Sequence, residues 1–156
     1  MKSCSFTGHR IIAASNIQPL ENLLDRAIDY VYNEGCRNFY CGGALGFDTM
    51  AAKKLILKRM VNRDIRITII VPCRDQDLKF SESSKRMYNY ILSMADEIIY
   101  ISDEYTSVCM KERNQALVDA CDVLIAYAGK KNSGSGQTVR MATEQGKTVY
   151  NLYNKV

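Results

Sequence analysis

The sequence predicts an α/β fold: a Rossmann-like three-layer sandwich with helices on both faces of a mainly parallel sheet. Strand-like apolar runs alternate with segments of helical periodicity along the whole chain. The clearest strand, residues 65–71, is β-branched and almost continuously apolar, as in strands buried on both faces. The alternation is not broken by a repeat, a linker or a low-complexity stretch. We therefore expect one domain over residues 1–156.

The first strand and helix are marked by apolar pattern and by proline and glycine. Residues 3–8 predict a short buried strand that ends in a loop. Apolar residues from Leu20 to Val31 then recur at helical spacing, which gives a helix one apolar face. Pro19 stands near its first turn, where a missing N–H costs little, and Gly35 ends it.

The next elements continue the alternation of strand and helix. Residues 38–41 predict the second strand, and a helix follows from about Gly46 to Val61. The third strand, 65–71, is stopped by Pro72, which cannot donate to a sheet ladder. The buried face of the intervening helix is expected to include Met50, Ala51, Leu55 and Ile56.

The rest of the chain predicts three helices and three strands. Ser81 or Ser83 caps the first of these helices. Its inward residues are expected to be Met87, Tyr90, Ile91 and Met94. The remaining elements are a strand at 96–101, a helix at 111–120, a strand at 122–127, a helix at 138–145 closed by Gly146, and a strand at 148–152.

Composition excludes several classes of protein. With 47% hydrophobic and 24% charged residues the chain can build a core and is not disordered. Its apolar runs stay well short of the roughly 20 residues that span a bilayer. The start lacks the apolar stretch of a signal peptide, so we expect a cytoplasmic protein with no membrane partner.

Cysteine and histidine usage argues against metal and thiol chemistry. Six cysteines occur without a CxxC pair, and we expect buried, reduced thiols in a cytosolic chain. His9 is the only histidine, so a zinc site of the usual Cys/His spacing is not expected, and we assign no metal and no cofactor. A Cys–His nucleophile pair would require His9 to meet one of the thiols in space.

The net charge of +4 includes a basic run between Lys53 and Arg66. This run has two interpretations: a solvated helix face, or a patch that binds nucleic acid. A nucleic-acid patch requires a larger charge excess and interleaved aromatic residues, which the run lacks. Nucleic acid is therefore not the expected partner.

Polar or glycine-rich segments follow each of the first five strands. In a parallel sheet the carboxyl ends of the strands lie at one edge, and ligands bind there near the point where strand order reverses. We therefore expect these segments to converge on one rim. They are Gly8-His9-Arg10, the stretch beginning at Gly42, Pro72-Cys73-Arg74, residues 102–106, and the stretch beginning at Ser133.

Two of these segments are rich in glycine and precede predicted helices. The first runs from Gly42 through Gly43, Ala44 and Gly46 to Asp48, and the second contains Ser133, Gly134, Ser135, Gly136 and Thr138. Helix N-termini present free amides and a positive dipole end, which suit a phosphate group. Neither segment is a Walker loop or a complete GxGxxG fingerprint, so ATP hydrolysis is not predicted.

Several side chains have both a structural and a functional interpretation. Asp48 either stabilises its helix N-terminus, or accepts a hydrogen bond from a ribose, or orients the glycine-rich loop. Arg10 and Arg113 face the predicted rim and can bind phosphate, although Arg113 can also pair with a surface carboxylate. His9 is either a ligand contact or a structural loop histidine. Tyr105 either stacks on a base or is an ordinary half-buried tyrosine.

Six motifs in order resemble the YpsA-like branch of the SLOG superfamily, which also contains DprA and the LOG phosphoribohydrolases. The resemblance covers roughly residues 3–152 and implies a Rossmann-like fold and, for many members, a nucleotide-type ligand. The motifs are Ser5–Arg10, Gly42–Asp48, Val71-Pro72-Cys73 with Gln76, Tyr105-Thr106, Met110–Asn114, and Thr138-Val139-Arg140.

The same resemblance bears on catalysis. Met110, Glu112 and Arg113 match the Met-His-Glu-Arg-Lys segment of LOG enzymes, which puts Arg113 on their catalytic-type arginine. LOG enzymes carry a glutamate further on, in a Pro-Gly-Gly-x-Gly-Thr-x-x-Glu motif. That position falls near Val139 or Arg140 here, and Glu144 is the nearest acid. Arg113 and Glu112 are thus candidate catalytic residues without the expected carboxylate.

Three functions follow from these observations. The first is binding of a nucleotide or nucleotide-derived phosphate ligand as a sensor or carrier, with a homodimer as a possible assembly. The second is hydrolysis of the N-glycosidic bond of a nucleoside 5′-monophosphate, with Asp48, Glu112 or Glu144 replacing the absent glutamate. The third is DprA-like binding of single-stranded DNA. The predicted ligand-binding residues are Gly8, His9, Arg10, Gly42, Gly43, Ala44, Gly46, Asp48, Pro72, Tyr105, Arg113, Asn114, Ser133, Gly134, Ser135, Gly136 and Thr138.

Overall fold

A computed structural model describes residues 2–156 and confirms the predicted fold class. Six parallel strands form one sheet, and five α-helices and a short 3₁₀ helix complete the fold. The strands are β1 Lys2–Gly8, β2 Cys36–Cys41, β3 Arg66–Cys73, β4 Glu97–Ser102, β5 Val123–Tyr127 and β6 Thr148–Asn151. The helices are α1 Ala14–Asn33, α2 Phe47–Val61, α3 Glu82–Met94, α4 Cys109–Ala120, α5 Gly134–Glu144 and the 3₁₀ helix Tyr153–Lys155.

The strand order β4-β3-β2-β1-β5-β6 places the reversal of strand order between β1 and β5. Their register pairs Phe6 with Ile125 and Gly8 with Tyr127, so both strands end at the same height. Helices α1, α2 and α3 pack side by side on one face, and α4 and α5 pack together on the other. The large core lies under the first group, and a smaller cluster around Leu124 and Ala142 lies under the second.

Two prolines lie inside elements that they were expected to delimit. Helix α1 begins at Ala14, so Pro19 falls in its second turn. The first turn is exposed, and water can satisfy the carbonyl oxygen of Ser15 that lacks its i+4 amide. Pro72 lies within β3 instead of ending it, because β2 is paired with β3 only as far as Ile69 and no longer flanks the strand at Pro72.

Helix α3 buries Tyr88, whereas its sequence pattern predicted that Tyr90 would be buried. Ser81 caps the helix by accepting a hydrogen bond from Ser84 N, as one of the two predicted caps. Tyr90 was expected to face inward but is 47% exposed, whereas Tyr88 is 6% exposed and contacts Phe80 edge to face. Tyr88 lies three residues before Ile91 and Tyr90 lies three residues after Met87, so helical spacing allows either tyrosine, and packing against Phe80 of the preceding loop selects Tyr88.

Helix α5 starts four residues earlier than expected, at Gly134. The stretch from Ser133 to Gly136, predicted as a loop, is therefore the N-cap and first turn of the helix. Elsewhere in the described chain, all six cysteines are free and buried, as expected. Among residues 2–156, no helix is long and apolar enough to cross a membrane.

Candidate functional site

His9 joins the two glycine-rich segments at the carboxyl edge of the sheet. Its carbonyl oxygen accepts a hydrogen bond from Phe47 N at 3.1 Å, at the start of α2. Its ring Nδ1 lies 3.2 Å from Ser135 Oγ, in the first turn of α5. Its ring Nε2 accepts a hydrogen bond from Gly129 N at 2.7 Å. The segments that the sequence separates by 90 positions therefore meet on the two sides of one residue at the end of β1.

The glycine loop, residues 42–46, packs closely against the end of β1. Gly46 has φ +75°, and a Cβ there would lie 2.3 Å from the carbonyl oxygen of Arg10. On the opposite side, a Cβ on Gly8 would lie 2.5 Å from the Phe47 ring. Glycine at these positions lets the backbone of one strand end approach the N-terminus of the neighbouring helix.

Arg113 and Asp48 are both buried and lie on either side of Gly42. Each is 5% exposed. Arg113 Nη1 donates to the carbonyl oxygen of Gly42, and Nε donates to Asn114 Oδ1 at 2.9 Å. Asp48 Oδ2 accepts a hydrogen bond from Ala44 N at 3.2 Å. A Cβ on Gly42 would lie 2.7 Å from both Arg113 Nη1 and Asp48 Oδ2, so only glycine leaves room for the two groups.

The protonation of Asp48 is set mainly by burial. Burial raises its pKa from 3.8 to about 6, against the opposing effects of Arg113, the Ala44 amide and Arg10. Burial likewise lowers the pKa of Arg113, against the attraction of Asp48. Asp48 Oδ1 is buried with no hydrogen-bond partner in the described chain. Asp48 thus accepts a hydrogen bond from the glycine loop while it lies in the first turn of α2.

The α5 cap segment, residues 133–136, exposes backbone donors. Ser133 Oγ accepts from Gly136 N at 3.0 Å and donates to the carbonyl oxygen of Lys130 at 2.6 Å. The amides of Gly134 and Ser135 have no acceptor within residues 2–156. These free N–H groups at the positive end of a helix are suited to an anion. Thr138 is buried, and its hydroxyl donates to the carbonyl oxygen of Gly134, within the helix.

Asn114 links Arg113 to the α5 cap segment. Its Oδ1 is occupied by the hydrogen bond from Arg113 Nε. Its Nδ2 is the nearest atom to the position that a Cβ would take on Gly134, at 3.9 Å. The side-chain amide therefore presents its donor group to the first turn of α5. Asn114 and the free amides of α5 together form a region of hydrogen-bond donors.

A cavity of about 700 Å³, called here the rim cavity, is lined by residues that follow β1, β2, β3 and β4 at the carboxyl edge of the sheet. Its walls include six residues from the expected rim, a segment of the loop between β3 and α3, and Met110 of α4. The first group is Arg10, Ala44, Leu45, Pro72, Cys73 and Tyr105, and the second is Asp75, Gln76, Leu78, Lys79 and Phe80. Tyr105 is 66% exposed at its edge.

The loop contribution from residues 75–80 was missed as part of the site. Gln76 Nε2 donates to the carbonyl oxygen of Gly43 at 2.8 Å and so holds this loop against the glycine loop. An apolar pair, Leu78 and Phe80, between Pro72 and a helix cap was the available signal, because such residues in a short loop need a surface to cover. In the sequence, Gln76 is marked only by the resemblance to the SLOG motifs.

Other acidic candidates lie away from this arrangement. Glu112 is exposed on α4, and Glu144 is the last residue of α5. A helix rises about 1.5 Å per residue, which puts Glu144 about 15 Å along the axis from the α5 cap segment. Neither carboxylate stands where the LOG-type glutamate would be required.

Acidic residues accompany the basic run of α2. Lys58 Nζ lies 3.0 Å from Asp25 Oδ1 and 2.7 Å from Asp29 Oδ1, and Arg59 Nη1 lies 2.8 Å from Asp96 Oδ2. These pairs with α1 and with the start of β4 neutralise part of the run. The interpretation as a solvated helix face fits this arrangement.

Comparison with known proteins identifies the family. The family model described as the YspA SLOG family (YpsA) matches residues 12–154. The chain belongs to this family. The resemblance seen in the sequence motifs is thereby confirmed, and with it the membership in the SLOG superfamily.

Two curated relatives of this SLOG chain come from Bacillus. The SPbeta prophage-derived protein YoqJ of Bacillus subtilis (strain 168) is 25% identical over 134 residues, which cover 78% of each chain. A UPF0398 protein of Bacillus thuringiensis (strain Al Hakam) is 22% identical over 140 residues, covering 88% of this chain and 76% of that protein.

Solved structures of DNA processing protein A share the fold. DprA from Streptococcus pneumoniae is 19% identical with a TM-score of 0.69, and the match covers 96% of this chain but 50% of that one. DprA from Helicobacter pylori, described for its single-stranded DNA binding mode, is 19% identical with a TM-score of 0.68, covering 95% of this chain and 63% of that one. This chain thus spans about half to two thirds of these proteins.

Proposed function

We propose that the chain binds a nucleotide or a nucleotide-derived phosphate compound at the carboxyl edge of its sheet, as a sensor or carrier. The observation that carries the proposal is the set of free amides at Gly134 and Ser135 in the first turn of α5, with Asn114 Nδ2 3.9 Å from the Cβ position of Gly134. Neighbouring donors with no acceptor of their own favour an oxyanion such as phosphate.

The phosphate group fits the α5 cap segment. The Gly134 and Ser135 amides and Asn114 Nδ2 supply donors, and the helix dipole adds a favourable field. Arg10 and Arg113 face one carboxylate, Asp48, across the glycine loop, so this part of the rim carries a net positive charge. An anion bound there offsets the repulsion between the two guanidinium groups.

The base and sugar fit the rim cavity. A cavity of about 700 Å³ is large enough for a nucleoside. Its walls combine flat or apolar surfaces at Pro72, Phe80 and Tyr105 with the cations Arg10 and Lys79. Aromatic and apolar surfaces can stack on a base, while cations at the edge attract the negatively charged end of the ligand.

Binding is favoured over N-glycosidic hydrolysis by the placement of the carboxylates. Asp48 is enclosed and bound to the glycine loop, and Glu144 lies at the far end of α5. A general acid or base must reach the bond it cleaves, to within about 3 Å or through one water. Hydrolysis remains an outcome to be measured, because release of free base during the binding experiments would reveal it.

Binding of single-stranded DNA has support only from the fold shared with the DprA structures. Within this chain, Lys58 and Arg59 on the basic helix face are engaged by aspartates. Binding to a phosphate chain relies on free cations and weakens steeply with salt. Fluorescence anisotropy with a labelled oligonucleotide at two salt concentrations distinguishes this activity from binding of a small ligand.

The test is a thermal-shift and calorimetry series with nucleoside monophosphates, diphosphates, cyclic phosphates and ADP-ribose. The informative variant is Asn114→Asp, which keeps an acceptor for Arg113 but replaces the donor amide with a carboxylate. Loss of a hydrogen bond to a charged group predicts affinity lower by about 10-fold or more. Asn89→Asp on the exposed face of α3 is the matched control, with the same charge change elsewhere.

Two results would overturn the proposal. One is the absence of stabilisation by every nucleotide in the series at millimolar concentration. The other is equal loss of affinity in Asn114→Asp and Asn89→Asp, since that would show a general effect of charge and no contact at the α5 cap segment.

A further inference from the structure

The ring of His9 is fully engaged by protein groups. Nε2 accepts the hydrogen bond from Gly129 N, and Nδ1 faces Ser135 Oγ. Tyr127 and Tyr153 pack edge-on against the ring, with centroids 5.8 and 5.7 Å away. A histidine whose two nitrogens are both occupied in this way has little capacity left for a ligand.

These contacts fix the protonation state of the ring. Gly129 N–H can only donate, so Nε2 must carry a lone pair. In a neutral imidazole the proton is then on Nδ1, which donates to Ser135 Oγ. Protonation would add a hydrogen to Nε2, and this new N–H would point at the Gly129 N–H, with only 2.7 Å between the two nitrogens. The contact with Gly129 therefore exists only while His9 is neutral.

Gly129 belongs to the loop that carries the α5 cap segment. A Cβ on Gly129 would lie 2.2 Å from the Tyr153 ring, so the loop is packed tightly at this point. Four residues after Gly129, Ser133 N donates to the carbonyl oxygen of Lys130 at 3.2 Å. Release of Gly129 from His9 would thus loosen the backbone that positions the free amides of Gly134 and Ser135.

Within residues 2–156, few charged groups act on the ring. Lys130 in the loop is the charge that bears on it, while β5 contributes Tyr127, the 3₁₀ helix contributes Tyr153, and α5 contributes the Ser135 hydroxyl. Burial and the charge of Lys130 lower the pKa of His9 from its usual 6.5. The surroundings therefore favour the neutral form that the hydrogen bonds require.

The geometry points to His9 as a positioning residue: its neutral ring clamps the Gly129 loop to the end of β1 and holds the α5 cap segment ready for an anion, and protonation opens the clamp. The expected consequence is that the affinity for an anion falls when the pH is lowered. This consequence rests on the proposed function, which places the anion at the α5 cap segment. A histidine that contacted the phosphate itself would give the opposite result, because its protonation would attract the anion.

The first experiment needs no ligand and no variant. His9 is the only histidine, so its ring gives a single set of signals in a ¹⁵N-labelled sample. We expect long-range ¹H–¹⁵N correlation spectra to show the Nδ1–H tautomer at pH 7.5. Titration to pH 5 should give a midpoint below 6.5, together with faster hydrogen exchange at the Gly129 amide. An Nε2–H tautomer, or protonation without a change at Gly129, would overturn the clamp even if nucleotides bind.

The second experiment measures affinity for cyclic AMP, whose single phosphate charge is constant between pH 5.5 and 7.5. As the pH falls from 7.5 to 5.5, the affinity of the wild type relative to that of His9→Gln should fall by about threefold or more. The reason is that protonation of His9 shifts the loop equilibrium towards the open state. Asp48 titrates in the same range, and the comparison with His9→Gln, which retains Asp48, removes its contribution.

The outcomes separate the two proposals. A rise in relative affinity on acidification would make His9 a phosphate contact and overturn the clamp. An identical pH profile in wild type and His9→Gln would also overturn it, since a purely structural role lowers affinity equally at every pH. Failure of cyclic AMP and of the whole nucleotide series to bind would count against the proposed function, while the tautomer and exchange measurements still decide the clamp.

Discussion

Arg113 donates a hydrogen bond from Nη1 to the carbonyl oxygen of Gly42, a residue 71 positions earlier in the chain. The bond joins the first turns of α4 to the glycine loop that follows β2. Because Arg113 also donates to Asn114, one guanidinium sets both the glycine loop and the amide that faces the α5 cap segment. Arg113 therefore acts first as a framework for the site.

We predict that Arg113→Lys destabilises the protein although it keeps the charge. An ammonium group cannot reach both Gly42 O and Asn114 Oδ1 with the geometry of a fork. Leaving one buried acceptor unsatisfied costs about 1–3 kcal/mol in free energy of unfolding, measured by urea denaturation. Arg66→Lys at the exposed start of β3 is the control, and its effect should stay within about 0.5 kcal/mol. Equal effects of the two substitutions would contradict a framework role.

Asp48→Asn is predicted to change the pH dependence of stability. The folded pKa of Asp48 is raised from 3.8 to about 6, so its contribution is complete below the unfolded pKa and is lost as pH rises through 6. Between pH 5 and pH 8, the wild type should lose about 1.4 kcal/mol relative to Asp48→Asn, since one pKa unit corresponds to about 1.4 kcal/mol. Urea denaturation of both proteins at the two pH values measures this difference.

The comparison of wild type with Asp48→Asn cancels the contribution of His9, which also titrates between pH 5 and pH 8. His9 has a lowered folded pKa, so its contribution is complete above about 6.5 and is lost as pH falls through that lowered value. It is present in both proteins and does not affect their difference. A difference that stays constant from pH 5 to pH 8 would show that Asp48 is ionised throughout, and that Arg113 outweighs burial.

The order of the elements could be predicted from the sequence because short apolar runs mark the strands and each helix carries one apolar stripe. Local pattern failed where a neighbour decides the outcome. Pro19 is tolerated because the turn before it is exposed, and Tyr88 replaces Tyr90 because Phe80 lies beside it. Neither fact can be read from the residues of one helix.

The position of the candidate site in the fold could be predicted more readily than its side-chain contacts. Topology alone brings the ends of β1, β2 and β5 to one edge. The ring partners of His9 lie 120 and 126 positions away, so no local pattern identifies them. The loop at 75–80 was missed for a similar reason, since its role depends on the cavity that it covers.

The two glycines of the α5 cap segment should respond differently to substitution. A Cβ on Gly136 would lie 2.1 Å from the backbone oxygen of Lys130, which cannot move without shifting the loop. We expect Gly136→Ala to cost about 1–3 kcal/mol in stability, as other overpacked sites do. Gly134→Ala places its Cβ 3.9 Å from Asn114 Nδ2 and should be neutral or slightly stabilising, because alanine favours a helix. Thermal denaturation of the pair tests this, and equal effects would contradict the packing argument.

Removal of the charge on Lys130 should raise the midpoint of the His9 titration. Lys130 lowers the pKa of His9 by repelling its protonated ring, and its own hydrogen bonds to Ser133 use the backbone oxygen, which Lys130→Met retains. Lys131→Met is the matched control, because the neighbouring lysine is not among the groups that shift His9. We expect the midpoint followed by NMR to rise in Lys130→Met and to stay at the wild-type value in Lys131→Met. An equal shift in both variants would indicate a general effect of net charge, whereas a shift in Lys130→Met alone would show that the ring responds to the loop that it holds.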